Sequence, residues 1–280
     1  MKKIGFVDYY LSEWHANEYP AWIKAANESL GLDFELAYAW AEEEISPIDK
    51  ISTDKWCEKF GATKCNTIDE LCEKSDYIIV LAPSNPEKHL EYAKKVLPYK
   101  KPTYIDKTFV QNIDEANEIF EIAKANDTKF FSTSALRFAD ELKDFTNPDN
   151  IIITGGGGNF HEYMIHTIEM AVILLNSRAA KVKVEKLANE RICRISTQDN
   201  KQAAIIYAPS YGFIASGINE GGRSITRPIK SEFFVTLIKN ILAFFNSNTL
   251  PFDSNQTLEV IRVRDALIKA EEFENEWIEV

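Results

Sequence analysis

The segment from Asp76 to Lys107 constrains the fold more than any other part of the sequence. Residues 77–82 form a nearly unbroken apolar run rich in Ile and Val, typical of a strand buried on both faces of a parallel sheet. Residues 87–97 then place Leu, Ala and Val at helical spacing, and residues 102–105 predict a second strand. This β-α-β unit delivers Asp106 and Lys107 to the carboxyl end of the sheet, where open α/β sheets bind their ligands.

The rest of the first half repeats this alternation of strands and helices. Lys3 to Val7 and Phe34 to Trp40 predict strands, a helix is expected over about Ala21 to Leu30, and Asp114 to Asn126 is strongly amphipathic. Such alternation is the pattern of a doubly wound parallel sheet.

The second half has a different pattern. A predicted helix from His161 to Asn176 is followed by short strands with short connections, which indicates a mainly antiparallel sheet. We therefore predict an α/β fold with a Rossmann-like domain over residues 1–135 and an α+β domain over residues 136–280.

Charge and composition exclude several classes of function. The net charge of −11, with 43 acidic against 32 basic side chains, argues against a nucleic-acid partner. The four cysteines lack the spacing of a metal site, so free thiols and no metal are expected. The amino terminus has no apolar stretch of signal-peptide length and no run approaches a membrane span, so we expect a cytoplasmic protein without a membrane partner.

Taken in order, these segments resemble the glucose–fructose oxidoreductase and inositol dehydrogenase (Gfo/Idh/MocA) family. The resemblance rests on a strand ending in Ala82-Pro83, a strand ending in Asp106-Lys107, and a helix with Glu162 and His166 leading an antiparallel sheet. The corresponding family motifs read Glu-Lys-Pro and Asp-x-x-x-His. The resemblance implies NAD or NADP as cofactor and places Lys107 between nicotinamide and substrate.

The residue types at these positions suit the removal of a hydride from an alcohol carbon. His166 is the candidate general base, because an imidazole titrates near operating pH. Glu162 lies four residues earlier on the same helix face and would orient the imidazole. The Lys107 ammonium would stabilise negative charge on the substrate oxygen. Arg137 and Tyr163 are further candidate substrate contacts.

The same residues also have ordinary structural interpretations, which the sequence leaves open. Glu162 and His166 can form a plain pair on a helix surface, and Lys107 can be a solvated loop lysine.

The first βα turn departs from the family pattern. In a Rossmann site, glycines let the backbone approach the pyrophosphate, which rests on the helix N-terminus. Aligned with the family, residues 8–11 occupy this loop, and every glycine of the fingerprint is replaced. The expected cofactor-binding set is therefore Asp8, Tyr9, Tyr10, Leu11, Trp40, Ala82, Pro83 and Asp106.

Two classes of function follow from these observations. The first is an NAD(P)-dependent oxidoreductase that acts on a sugar, cyclitol or related polyol and has a rebuilt phosphate loop. The second is a non-redox descendant that binds a carbohydrate-like ligand without a nicotinamide cofactor, with aromatic side chains stacking on the ligand. The exposed sheet of the second domain is a possible docking surface for another protein, and the resemblance implies a homodimer or homotetramer formed through it.

Overall fold

The computed structural model describes all residues from 1 to 280 and divides them into two compact units. The first unit comprises residues 1–133 and 234–254, and the second comprises residues 134–233 and 255–280. The chain thus leaves the first unit, returns to it for one helical segment, and leaves again. The first of these crossings lies close to the predicted boundary between residues 135 and 136.

The first unit is built on a parallel sheet of six strands in the order β3-β2-β1-β4-β5-β6. The order reverses between β1 and β4, which places the carboxyl ends of these strands at the switch point of a doubly wound sheet. The predicted Rossmann-like arrangement is therefore confirmed. The strands are β1 (Lys2–Asp8), β2 (Phe34–Ala41), β3 (Thr63–Lys64), β4 (Tyr77–Val80), β5 (Thr103–Ile105) and β6 (Phe130–Phe131), and the helices are α1 (Trp14–Leu30), α2 (Thr53–Phe60), α3 (Ile68–Lys74), α4 (His89–Val96) and α5 (Ile113–Asn126).

The second unit carries a sheet of seven strands in the order β12-β11-β7-β10-β9-β8-β13. Only β7 and β10 pair in parallel, so the prediction of a mainly antiparallel sheet is confirmed. Helices α6 and α8 pack on each other and on this sheet. The elements are β7 (Asn150–Gly155), α6 (Phe160–Leu175), β8 (Ala179–Leu187), β9 (Glu190–Thr197), β10 (Gln202–Tyr207), β11 (Ile214–Ile218), β12 (Ser224–Pro228), α7 (Phe233–Ser247, returning to the first unit), α8 (Asn255–Ala270) and β13 (Ile278–Glu279).

Helix α1 begins seven residues earlier than expected, at Trp14 instead of Ala21. The expectation was wrong because Pro20, which favours a helix start, lies inside the helix. The start is set by Glu13, whose carboxylate accepts hydrogen bonds from the first free backbone N–H groups of the helix. None of the helices combines the length and apolar composition needed to span a bilayer.

Gly5 permits close packing of β1 against α3, and we expect Gly5→Ala to destabilise the fold. A Cβ at this position would lie 2.4 Å from Ser75 Oγ and 2.6 Å from Leu71 Cδ2. Overpacking of this kind lowers the free energy of unfolding by about 1 to 3 kcal/mol, which urea denaturation will measure. Gly212→Ala is the matched control, because nothing lies within 4 Å of its Cβ position. Equal midpoints for the two variants would contradict the packing described.

Candidate functional site

The carboxyl end of β5 carries a buried polar cluster centred on Asp106. Its carboxylate accepts hydrogen bonds from the Tyr104 hydroxyl at 3.0 Å and from the Lys107 backbone N–H at 2.8 Å, and it contacts His15 Nδ1. The Tyr19 hydroxyl lies 3.5 Å away. Burial acts to raise the pKa of Asp106, but His15 and Lys107 outweigh it and hold this pKa below its ordinary value. The cluster therefore holds an ionised carboxylate at the end of the strand.

Lys107 lies inside the protein, with 8% of its surface exposed. Its Nζ is 3.4 Å from the carbonyl oxygen of Pro83, which follows the end of β4. The structure thus brings Ala82, Pro83, Asp106 and Lys107 to the neighbouring ends of β4 and β5. The interpretation of Lys107 as a solvated loop lysine is wrong, because a solvated ammonium would not be enclosed in this way.

The first βα turn places a carboxyl group in the interior. Asp8 is 1% exposed, and its Oδ1 accepts hydrogen bonds from the N–H groups of Tyr9 at 2.7 Å and Ala82 at 3.0 Å. Its Oδ2 has no hydrogen-bond partner. Burial and the nearby Glu13 raise the pKa of Asp8 well above its ordinary value. Leu11 is also buried, so side chains fill this turn where glycines would leave space.

A second carboxylate, that of Glu13, sits on the N-terminus of α1. It accepts hydrogen bonds from the N–H of His15 at 2.7 Å and from the N–H of Ala16. Burial raises the pKa of Glu13, although His15 and the backbone N–H groups act in the opposite direction. Together with Asp8, Tyr10 and Pro83, Glu13 lines a cavity of about 130 Å³.

Trp40 and Glu42, at the end of β2 beside the first βα turn, contact side chains of the helix after β4 and of the loop before it. Trp40 packs edge-on against Tyr92, with ring centroids 5.7 Å apart. Glu42 accepts hydrogen bonds from the Tyr92 hydroxyl at 2.7 Å and from Lys88 Nζ at 2.5 Å, and the Lys88 ammonium lies 5.3 Å from the Tyr9 ring centroid. Trp40 and Tyr9, both in the expected cofactor-binding set, are therefore each in contact with a neighbouring side chain.

Whether the first βα turn can hold the phosphates of a dinucleotide depends on the position of the Glu13 carboxylate. The N–H groups at the start of α1 are aligned for an anion, and the Glu13 carboxylate is the anion that they hold. The cavity beside it, about 130 Å³, is smaller than the roughly 300 to 1,000 Å³ of ordinary ligand pockets. A phosphate therefore fits here only when the Glu13 carboxylate has left the helix.

In the second unit, α6 presents the candidate general base. His166 is half-buried, and its Nδ1 forms a 2.7 Å hydrogen bond with Ser134 Oγ. The centroid of the imidazole lies 5.8 Å from that of the Tyr163 ring and 5.9 Å from that of the Phe213 ring. Sequence reasoning missed Ser134. The available signal was the polar run of residues 132–134 that directly follows β6.

Tyr163 packs directly on the glycine run that follows β7. A Cβ at Gly157 would lie 2.2 Å from the Tyr163 ring, and the Gly157 carbonyl accepts a 2.8 Å hydrogen bond from the Tyr207 hydroxyl. The run is needed for this close approach of backbone and ring. Glu162 is half-buried on the same helix, and its predicted role in orienting His166 stays a prediction.

The side chain of Arg137 is buried in the second unit and forms an ion pair there. Its side chain is 6% exposed and is paired with Glu169, whose Oε1 lies 2.5 Å from Arg137 Nε, while Arg137 Nη1 donates to Gln256 Oε1. These contacts join the short helical turn that contains Arg137 to α6 and α8. They explain why an arginine is present, and its assignment as a substrate contact stays a prediction.

Comparison with known proteins gives a family match for part of the chain. Residues 33–134 match the family model described as "Oxidoreductase family, NAD-binding Rossmann fold" (GFO_IDH_MocA). The resemblance to the Gfo/Idh/MocA family is thereby confirmed. The matched Gfo/Idh/MocA segment includes Ala82, Pro83, Asp106 and Lys107, whereas the turn at residues 8–13 precedes it. No curated protein sequence matches the chain significantly.

Solved structures with the same fold include several dehydrogenases. A probable dehydrogenase from Thermotoga maritima has 14% identity and a TM-score of 0.81, covering 99% of this chain and 98% of that one. The myo-inositol dehydrogenase from Lactobacillus casei, in complex with NAD(H) and myo-inositol, has 11% identity and a TM-score of 0.81, covering 100% and 96%. The UDP-N-acetylglucosamine 3-dehydrogenase GnnA from Acidithiobacillus ferrooxidans has 10% identity and a TM-score of 0.76, covering 96% and 97%. At these identities the likeness shows the fold.

The buried Asp8 carboxyl makes the stability of the protein depend on pH. Because its pKa is raised in the folded state, its contribution is present at low pH and is lost as the pH rises through the folded pKa. We expect Asp8→Asn, which keeps an acceptor for the two N–H groups, to stabilise the protein by about 1 to 3 kcal/mol at pH 8 and less towards pH 4. Thermal melting across this range measures the difference. Asp149→Asn, at an exposed position, should follow the wild type throughout.

Proposed function

We propose that this chain is an oxidoreductase that acts on a sugar, cyclitol or related polyol with NAD or NADP as the hydride partner. The observation that carries the proposal is the enclosed Lys107 ammonium beside the ionised Asp106 carboxylate, at the carboxyl end of β5 within the Gfo/Idh/MocA segment. An ammonium held in this way suits the stabilisation of an alkoxide-like oxygen. The NAD(H) and myo-inositol in the Lactobacillus casei structure support the choice of cofactor and substrate class.

Lys107 and His166 are the two side chains proposed to carry the chemistry. Lys107, positioned by the Pro83 carbonyl and by Asp106, would hold the oxygen of the reacting hydroxyl group. His166, oriented by Ser134, would take the hydroxyl proton at its Nε2, because Nδ1 is engaged by the serine. Tyr163, which packs beside the imidazole, would contact the substrate. The nicotinamide nucleotide, when bound, supplies the hydride acceptor.

A second candidate function rests on a different observation. Because the Glu13 carboxylate holds the N-terminus of α1 and Asp8 is buried beside it, the first turn in this conformation opposes an anionic ligand. A non-redox protein that binds an uncharged, carbohydrate-like ligand would need no phosphate position there.

Nucleotide binding separates the two candidates. A ligand that binds only the folded state raises the melting midpoint by mass action, so the proposed oxidoreductase should melt at a higher temperature with NAD, NADH, NADP or NADPH at millimolar concentration. If none of the four shifts the midpoint while a sugar or polyol does, the non-redox candidate is favoured and the oxidoreductase is contradicted.

Turnover tests the two assigned side chains. We expect Lys107→Met and His166→Asn each to lower kcat/KM for polyol oxidation by at least about 100-fold, because each removes a charge or proton-transfer group from the reaction. The rate is measured from the absorbance of the reduced nucleotide as it forms. Lys124→Met, at an exposed position on α5, should keep wild-type activity. Retained activity in the Lys107 or His166 variant would remove that residue from the mechanism.

The second sheet is proposed to join copies of this chain as a homodimer or homotetramer. Ile152 and Ile218 on its open face are 51% and 52% exposed. Together with Arg194, Ser216 and Thr226 they line a shallow cavity of about 440 Å³. Exposed apolar side chains on a sheet face suit a self-complementary interface.

The oligomeric state responds to a single charge if this proposal holds. Ile152→Glu should shift the protein to monomer in sedimentation velocity, because it places paired carboxylates in the interface. Leu30→Glu, at an exposed apolar position on α1, should leave the state unchanged. A wild-type protein that sediments as a monomer at all concentrations would contradict the interface.

A further inference from the structure

The N-terminus of α1 already holds an anion that belongs to the chain itself. The Glu13 carboxylate is bound by the N–H groups of His15 and Ala16, and Glu13 is 7% exposed. In nucleotide-binding folds these first N–H groups of the helix after β1 receive the pyrophosphate. The N–H groups of His15 and Ala16 could therefore bind either the Glu13 carboxylate or a phosphate, and in this structure they bind the Glu13 carboxylate.

The loop that carries Glu13 is anchored at its base. Ser12 Oγ donates a 2.7 Å hydrogen bond to Asp49, and the Ser12 carbonyl accepts a 2.9 Å hydrogen bond from Ser46 Oγ. On either side of this loop, β1 is paired with β2 up to Asp8, and His15 in the first turn of α1 contacts Asp106. Release of the N–H groups therefore requires movement of the Glu13 side chain, which lines the 130 Å³ cavity, and not of the anchored loop.

A second observation points to an incoming ligand at the same cavity. Asp8 also lines it, and Asp8 Oδ2 is buried without a hydrogen-bond partner. A buried carboxyl oxygen of this kind is costly unless it has a hydrogen-bond partner. A ligand that satisfies both features carries an anionic group for the helix N–H groups and a neighbouring hydroxyl group that hydrogen-bonds to Asp8. The ribose phosphate of a nucleotide has both.

We propose that Glu13 is an intramolecular competitor for the nucleotide phosphate, so that cofactor binding requires the Glu13 carboxylate to release the N–H groups of His15 and Ala16. This inference rests on the proposed oxidoreductase function and deepens it. It accounts for a Rossmann sheet that keeps its strand order while every glycine of the phosphate loop is replaced. It also predicts that the wild-type protein binds the nucleotide weakly, since part of the binding free energy is used to displace an internal ligand.

The test is the affinity of Glu13→Ser for NADH and NADPH, measured by isothermal titration calorimetry and by the thermal shift. Serine caps a helix N-terminus well without a charge, so α1 keeps its start. Glu13→Gln, which keeps the length of the side chain, is the second variant if the serine variant melts too low. Glu28→Ser, at an exposed position on the same helix, is the matched control.

We expect Glu13→Ser to bind at least about 10-fold more tightly than the wild type, and Glu28→Ser to bind as the wild type does. Equal affinities for wild type and Glu13→Ser overturn the competition and leave the proposed function standing, because the phosphate then binds elsewhere. No binding to the wild type or to either Glu13 variant overturns both the competition and the nucleotide-dependent function. Nucleotide binding by the Glu13 variants and not by the wild type supports the competition, because the Glu13 carboxylate then prevents binding altogether.

Discussion

The candidate site of the first unit depends on the hydrogen bonds that the buried carboxylate of Asp106 accepts. It ties the start of α1, through His15, to the end of β5, through Tyr104 and the Lys107 backbone. A buried charge is tolerated only when donors surround it, and removing one partner leaves the other charge uncompensated. Because His15 lies two residues after Glu13, the same carboxylate contacts both the backbone of Lys107 and the first turn of the helix that Glu13 caps.

The parts of this arrangement that could be predicted from sequence are those with local causes. Apolar runs bounded by proline located β4 and β5, and their order placed Asp106 and Lys107 at the sheet edge. The start of α1 was missed because the signal from Pro20 opposed the cap by Glu13, and only the bound N–H groups decide between them. The hydrogen bond between Ser134 and His166 joins residues 32 positions apart, so the polar run of residues 132–134 could mark Ser134 as a candidate but could not identify its partner.

Fold and site have changed independently in this chain. The likeness to solved dehydrogenases spans nearly the whole length, because strand order and packing tolerate extensive substitution. The turn after β1 faces a ligand in related folds, yet here Asp8 and Leu11 lie in the interior. The same fold can therefore carry a differently filled turn, so function must be argued from the site and not from the fold alone.

The return of residues 234–254 to the first unit decides how the chain can be divided. Phe245 on α7 stacks on Tyr77 at a centroid distance of 4.9 Å, and Phe244 lies edge-on to Phe131 at 5.4 Å. A fragment that ends at residue 133 would lack these rings and expose an aromatic face of its sheet to water. No single cut of the chain therefore separates the two units and leaves both of them whole.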